Sequence, residues 1–178
     1  MNRVTKSLYS WVIVMCFGVT AHGAENETLV DELVFLQPFL GGWQADFAVP
    51  VGKPAMQDVS HWERALNGTA VRTLHSINAG MYGGESLIFW DDAKQEVVFY
   101  YFTTASFYTQ GTIKRLSDGG FAAYETVTGS EEGITQVKST TRYIDNTMQV
   151  STQYLKQQQW TAPQRRTYTR STQQVIFK

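Results

Sequence analysis

Cysteine, charge of one sign and long apolar runs are all scarce in this chain of 178 residues. Its one cysteine, Cys16, has no second cysteine with which to form an internal disulfide. Lysine and arginine total 15 against 16 acidic residues, so no basic field exists to attract nucleic-acid phosphates. The apolar stretch 8–19 is too short for a bilayer, which takes about 20 apolar residues. We therefore expect neither a nucleic-acid partner nor a membrane span.

The start of the chain has the pattern of a signal peptide. Arg3 and Lys6 precede the apolar stretch 8–19 and no acidic residue accompanies them. Small residues that suit a signal-peptidase site follow, namely Ala21, Gly23 and Ala24. The pattern predicts cleavage after Gly23, with Ala21 or Ala24 as alternatives, and export to the periplasm or the exterior of a Gram-negative bacterium.

Residues 24–178 should form one domain, because they can bury one sizeable core but are too few for two ordinary domains. Loss of residues 1–23 would remove Cys16, so the mature chain would have no disulfide or thiolate chemistry. The whole chain contains 10 Phe, 9 Tyr and 5 Trp, an enrichment typical of β-proteins.

A short α-helix is predicted at the beginning of this domain. Leucines recur at the spacing of one helical face, at Leu29, Leu33, Leu36 and Leu40. Asn26 or Thr28 could cap the helix, and Pro38 with the pair Gly41 and Gly42 would end it.

From Trp43 onward the apolar pattern has a period of two, with turn signals every 8 to 12 residues, as in all-β proteins. Ten strands are predicted, at residues 43–49, 58–66, 69–77, 85–90, 96–103, 108–114, 120–127, 134–143, 148–155 and 165–170. Most connections have hairpin length, so the strands should be antiparallel neighbours. Closing the sheet removes its open edges, and we therefore predict a single up-and-down β-barrel, with a sandwich as the alternative.

The dipeptide Asn67-Gly68 predicts both a turn and a register. A type I′ turn needs positive φ at its two central positions, which Asn and Gly tolerate. A two-residue loop places Glu63 opposite Arg72 on one face of the hairpin. The other face then carries Trp62, Arg64, Thr73 and His75. We assign this second face to the interior, because Trp62 is unsuited to water and the Glu63–Arg72 ion pair is suited to the exterior.

Three stretches resemble lipocalin-like (calycin) barrels, in particular secreted bacterial members. They are Phe39-Leu40-Gly41-Gly42-Trp43, then Trp62 through Gly68, then Gly83-Gly84-Glu85 leading to Phe89-Trp90-Asp91. The resemblance covers residues 29–170. It implies a calycin-type barrel and, by analogy, a binding role.

The last strand also carries a resemblance. Arg166-Thr167-Tyr168 resembles the Arg-x-Tyr with which fatty-acid-binding barrels hold a ligand carboxylate, although Arg165, Arg166 and Arg170 could instead solvate an exposed strand. Haem-binding barrels of the nitrobindin kind begin similarly but ligate iron through a histidine near the C-terminus. This chain has no histidine after His75, so no haem and no other cofactor is predicted.

The sequence thus favours an exported protein that binds a small hydrophobic or amphipathic molecule in a barrel cavity. The candidate ligand-binding residues are Trp62, Arg64, His75, Tyr101, Tyr108, Arg166 and Tyr168. Nucleophile-elbow, phosphate-loop and metal-ligand motifs are missing, so no catalytic residue or metal is predicted. Two alternatives remain: an enzyme using His75, Arg64 and a tyrosine in the same cavity, and a structural barrel with a filled core.

Overall fold

A computed structural model describes residues 28–49 and 51–178. The proposed signal peptide, its cleavage site and Cys16 lie outside these residues. The strands are β1 (Gly41–Asp46), β2 (Gln57–Ala65), β3 (Ala70–Ile77), β4 (Tyr82–Asp91), β5 (Glu96–Thr103), β6 (Tyr108–Arg115), β7 (Phe121–Thr128), β8 (Ile134–Ile144), β9 (Thr147–Lys156), β10 (Gln159–Trp160) and β11 (Gln164–Arg170).

Ten of these strands form a closed antiparallel barrel. Each strand from β1 to β9 pairs with the next, and β11 closes the barrel by pairing with both β9 and β1. The two-residue strand β10 pairs with the same edge of β9 just before β11. The predicted fold class is confirmed, and each of the ten predicted strands lies within about three residues of its observed bounds.

The register predicted for the β2–β3 hairpin is also confirmed. Glu63 lies opposite Arg72 and Trp62 opposite Thr73. Asn67 and Gly68 have φ of +57° and +91°, as the turn requires. On the outer surface, Arg72 Nη1 lies 3.1 Å from Glu63 Oε1, and Arg72 also pairs with Glu85 at 2.8 Å.

The predicted α-helix is instead a short 3₁₀ helix, Val34–Phe39. Its hydrogen bonds join residues three apart, as in Leu36 N–H to the Leu33 carbonyl at 2.8 Å. The reason is Pro38, which lacks an N–H and would crowd the carbonyl of residue 34 in an α-helix. In residues 28–49 and 51–178, no helix is long and apolar enough to cross a membrane.

This N-terminal segment closes one end of the barrel. Leu29, Leu33, Leu36 and Phe39 are buried. The leucine spacing predicts the burial of the three leucines. The Phe39 ring packs edge-on against Phe121 at 5.2 Å between centroids. The hydrophobic core is therefore concentrated at the plugged end, and the barrel interior beyond it is less filled.

After β11 the chain crosses the outer face of the barrel. Ser171 N–H donates to the Gly42 carbonyl at 3.0 Å, and Ile176 N–H donates to Ser76 Oγ at 3.2 Å. Gly42 lies under this crossing, where a Cβ would collide with the Ser171 carbonyl. The C-terminal segment thus covers the outside of β1 to β3 and leaves the interior free.

Candidate functional site: a cavity inside the barrel

A cavity of about 370 Å³ occupies the barrel between the N-terminal plug and the loops at the other end. Its floor, next to the plug, is apolar and is formed by Trp62, Ile88, Phe99, Ile113 and Phe121. Towards the far end it is lined by Tyr82, Phe107, Ser130, Ile134 and Tyr154. The volume is within the roughly 300–1,000 Å³ of small-molecule sites.

A continuous chain of hydrogen bonds crosses the cavity wall, and we call it the relay chain: Tyr82, Tyr101, His75, Asp58 and Tyr168. The Tyr82 and Tyr101 hydroxyl oxygens are 2.9 Å apart, and Tyr101 Oη is 2.6 Å from His75 Nε2. His75 Nδ1 is 3.1 Å from Asp58 Oδ1. Tyr168 donates to Asp58 Oδ2 at 2.8 Å.

One set of proton positions satisfies the relay chain when Asp58 is ionised and His75 is neutral. His75 Nδ1–H then donates to Asp58, which leaves Nε2 as an acceptor for the Tyr101 hydroxyl. Tyr101 in turn accepts from Tyr82. In this state the Tyr82 hydroxyl oxygen is the end of the relay chain that faces the cavity, and it can accept a hydrogen bond there.

The strand register explains why these side chains meet. His75 on β3 lies opposite Gly84 on β4, and Tyr101 reaches His75 from β5, the next strand. A Cβ at Gly84 would collide with the Tyr101 ring. The missing side chain of Gly84 therefore makes room for a phenol to cross one strand and contact the imidazole.

Burial makes the tyrosines of the cavity weaker acids than tyrosines in water. It is the main cause of the raised pKa of Tyr82, Tyr101, Tyr154 and Tyr168. For Tyr168, the charge of Asp58 raises the pKa further, while Arg166 lowers it. Arg166 also lowers the pKa of Tyr154. These phenols can therefore donate hydrogen bonds at neutral pH.

Arg166 is the one arginine that lines the cavity among the described residues. Its guanidinium lies 4.0 Å from the centre of the Phe47 ring, and its hydrogen bond to Gln164 is long, at 3.5 Å. None of the ion pairs within residues 28–49 and 51–178 involves Arg166. A half-buried cation of this kind can accept an anionic partner.

Glu125 is the second carboxylate of the cavity wall. It accepts a hydrogen bond from Thr109 Oγ1 at 2.7 Å. Burial raises its pKa, and the Thr109 hydroxyl only partly opposes this. A carboxyl group with a raised pKa in a cavity is a candidate acid or base.

Because Glu125 binds its proton more tightly in the folded protein than in the unfolded chain, its contribution favours folding at low pH. That contribution is complete below the ordinary value of 4.5 and is lost as the pH rises through the raised pKa. We expect Glu125→Gln to raise the melting temperature at pH 7 and to change it little at pH 4. Melting curves of both proteins at the two pH values test this, and equal shifts would contradict it.

Five of the seven sequence-predicted site residues line the cavity: Trp62, His75, Tyr101, Arg166 and Tyr168. Three of them belong to the relay chain. Asp58, Tyr82, Glu125 and Tyr154 also line the cavity and are not among the residues predicted from the sequence. Asp58 could have been found, because Asp58, Ser60 and Trp62 are alternate residues of β2 and alternate residues of a strand point to the same side.

Arg64 and Tyr108, the other two predicted residues, do not line the cavity. Arg64 does lie on the predicted face, but at the plugged end, where its Nε donates to the Thr28 carbonyl at 3.1 Å. Tyr108 points outward, 40% exposed and stacked against Phe102. Its neighbour Thr109 is the residue that points inward, since adjacent strand residues face opposite sides.

Within the described part of the chain, no group of three or more His, Cys, Asp or Glu side chains could hold a metal ion. No protein-family model matches the chain, and no curated protein matches it.

The fold does have a structural neighbour. The barrel is similar to the crystal structure of Rv2717c from M. tuberculosis, with a TM-score of 0.59 and 12% sequence identity. The similarity covers 80% of this chain and 99% of that one. At this identity the likeness shows a shared barrel fold and nothing finer.

Proposed function

We propose that this barrel binds a small amphipathic molecule with one anionic group. The observation that carries the proposal is the position of Arg166, a cation without an ion-pair partner among the described residues, on the wall of a cavity with an apolar floor. The anionic group would bind Arg166, and the Tyr154 hydroxyl, which lines the same cavity, would donate to it. The apolar part would contact the floor around Trp62 and Phe99.

We further propose that the protein acts after export. The support is the order of basic, apolar and small residues within residues 1–23. A cavity protein outside the cytoplasm would meet its ligand there, and its mature form would contain no cysteine to be oxidised.

The binding proposal is tested with a matched acid and alcohol, 3-phenylpropionate and 3-phenylpropan-1-ol. Arg166→Ala should weaken binding of the acid by roughly ten- to a hundred-fold, because a charge-assisted hydrogen bond contributes about 1.5–3 kcal/mol. Binding of the alcohol should change little. Isothermal titration calorimetry gives both dissociation constants.

Arg165→Ala is the matched control, since Arg165 is adjacent, exposed and outside the cavity lining. It should leave both dissociation constants unchanged. Failure of the wild-type protein to bind the acid would refute the proposal, and so would an equal loss for acid and alcohol in Arg166→Ala.

A further inference from the structure

The relay chain forms an uninterrupted path along which a proton can move. It runs from the Asp58–His75 pair through Tyr101 to Tyr82, with successive heavy-atom distances of 3.1, 2.6 and 2.9 Å. Each of these distances is short enough for a hydrogen bond. Asp58 and His75 are largely shielded, with side-chain exposures of 7% and 23%, whereas Tyr82 lies towards the open end of the cavity.

Protonation of His75 reverses the direction of these hydrogen bonds. His75 Nε2–H would donate to Tyr101, Tyr101 would donate to Tyr82, and the Tyr82 hydroxyl would then point its hydrogen into the cavity. The charged and titratable groups facing this segment are Asp58, Glu125, Arg166, Tyr154 and Tyr168. A proton held at His75 can thus be delivered to an oxygen atom of a molecule bound beside Tyr82.

Glu125 supplies the complementary group. It lines the same cavity, forms no ion pair among the described residues, and uses one oxygen to accept from Thr109 at 2.7 Å. Burial is the main cause of the raised pKa of Tyr82 and Tyr101, and the charge of Glu125 is one of the smaller causes. A carboxylate base and a phenol donor that line the same cavity are the groups needed to enolise a carbonyl compound.

We propose that the cavity catalyses keto–enol tautomerisation of a small 2-oxo acid whose carboxylate binds Arg166. This inference rests on the proposed binding function and names its substrate class. A 2-oxo acid with an apolar substituent matches the cavity, because it combines an anionic group, a carbonyl oxygen with an adjacent C–H, and an apolar part for the floor.

In the reaction, the Glu125 carboxylate takes the proton from the carbon next to the carbonyl. The C–H electron pair forms the new C=C bond, and the C=O π electrons move to the oxygen. That oxygen takes the Tyr82 proton, Tyr82 takes the Tyr101 proton, and Tyr101 takes the Nε2 proton of protonated His75. The products are the enol, a neutral Glu125 carboxyl and neutral His75, and solvent returns the proton from Glu125 to His75.

The probe is phenylpyruvate, which has a carboxylate, an enolisable carbonyl and an aromatic ring. Its CH₂ protons exchange for deuterium in D₂O as it enolises, and proton NMR measures the rate. The wild-type protein should accelerate this exchange above the rate in buffer alone. Tyr82→Phe and Glu125→Gln should each lower kcat roughly 100-fold, the order of magnitude of one general acid or base.

Tyr101 and His75 would act through Tyr82 and are therefore positioning residues. Tyr101→Phe and His75→Gln should lower kcat for exchange while leaving the dissociation constant of 3-phenylpropionate, which lacks the carbonyl, within about two-fold of wild type. Tyr124→Phe and His61→Gln are matched controls on the outer face, where Tyr124 is 51% exposed and His61 faces Glu63. They should leave kcat unchanged.

The outcomes separate this inference from the binding proposal. If 3-phenylpropionate binds through Arg166 but phenylpyruvate exchanges no faster than in buffer, the inference is overturned and the binding function stands. If 3-phenylpropionate does not bind and phenylpyruvate exchanges no faster than in buffer, the inference and the binding proposal are both overturned. A loss of kcat in Tyr124→Phe as large as in Tyr82→Phe, or full activity in Tyr101→Phe, would also overturn the relay.

Discussion

Trp43→Ala should lower the free energy of unfolding by about 3–5 kcal/mol, the range for removing a fully buried Trp or Phe side chain. Trp43 has no solvent-exposed surface. Its indole N–H donates to the Phe39 carbonyl at 2.7 Å, and the Arg170 guanidinium lies 3.8 Å from the ring centre. One side chain thus joins the N-terminal plug, the first strand and the last strand. Urea unfolding monitored by circular dichroism gives the free energy.

Trp160→Ala is the control for this experiment. Trp160 is 39% exposed and lies under the Lys138 ammonium on the outer surface, so its loss should cost no more than about 0.5 kcal/mol. Trp43→Phe should give an intermediate loss, because it retains an aromatic ring but leaves the buried Phe39 carbonyl without its donor. Similar losses for Trp43→Ala and Trp160→Ala would show that the plug does not stabilise the barrel.

The strands could be predicted because turn chemistry and the period of two are local properties of the sequence. Asn67 and Gly68 fix the β2–β3 register through their positive φ, and every partner on that hairpin follows. Asp145 and Asn146, also at positive φ, connect β8 to β9 in the same way. Hairpins joined by short turns give an antiparallel meander, and closure then follows from the need to pair both edges.

The N-terminal segment was predicted less well because leucine spacing does not distinguish an α-helix from a 3₁₀ helix over two turns. Leu29, Leu33 and Leu36 are buried either way. The hydrogen-bond pattern is decided by Pro38, which lies inside the 3₁₀ helix and does not end it.

The residues that line the cavity could be predicted only in part. The side of the sheet to which a residue points follows from counting along its strand, but its depth in the barrel does not. Arg64 shares its face with Trp62, yet it lies two residue pairs nearer the plug and contacts Thr28 instead of the cavity. Depth depends on how strands are staggered around the closed barrel, which hairpin turns alone do not specify. The contact between His75 and Tyr101, from strands separated by β4, depends on sheet curvature and on the space at Gly84.

Asp58→Ala should lower the free energy of unfolding by roughly 2–4 kcal/mol, because it leaves buried donors without their acceptor. Asp58 is 5% exposed and accepts from Tyr168 and His75. His75 can shift its proton to Nε2 and so avoid an unpaired N–H, but the buried Tyr168 hydroxyl has no such alternative. Urea unfolding at pH 7 measures the loss.

Asp58→Asn distinguishes the hydrogen bonds of Asp58 from its charge. The Asn oxygen can accept from Tyr168 while its NH₂ group donates to His75 Nδ1, which then carries a lone pair. His75 Nε2–H would donate to Tyr101, and every member of the relay chain would again be paired, with the direction reversed. We therefore expect Asp58→Asn to cost less than about 1 kcal/mol. When the His75 imidazole is neutral, its ¹⁵N chemical shifts should report a proton on Nδ1 in the wild-type protein and on Nε2 in Asp58→Asn. If the proton stays on Nδ1 in both, or if Asn is as destabilising as Ala, then the Asp58 charge and not the hydrogen-bond pattern holds the relay chain together.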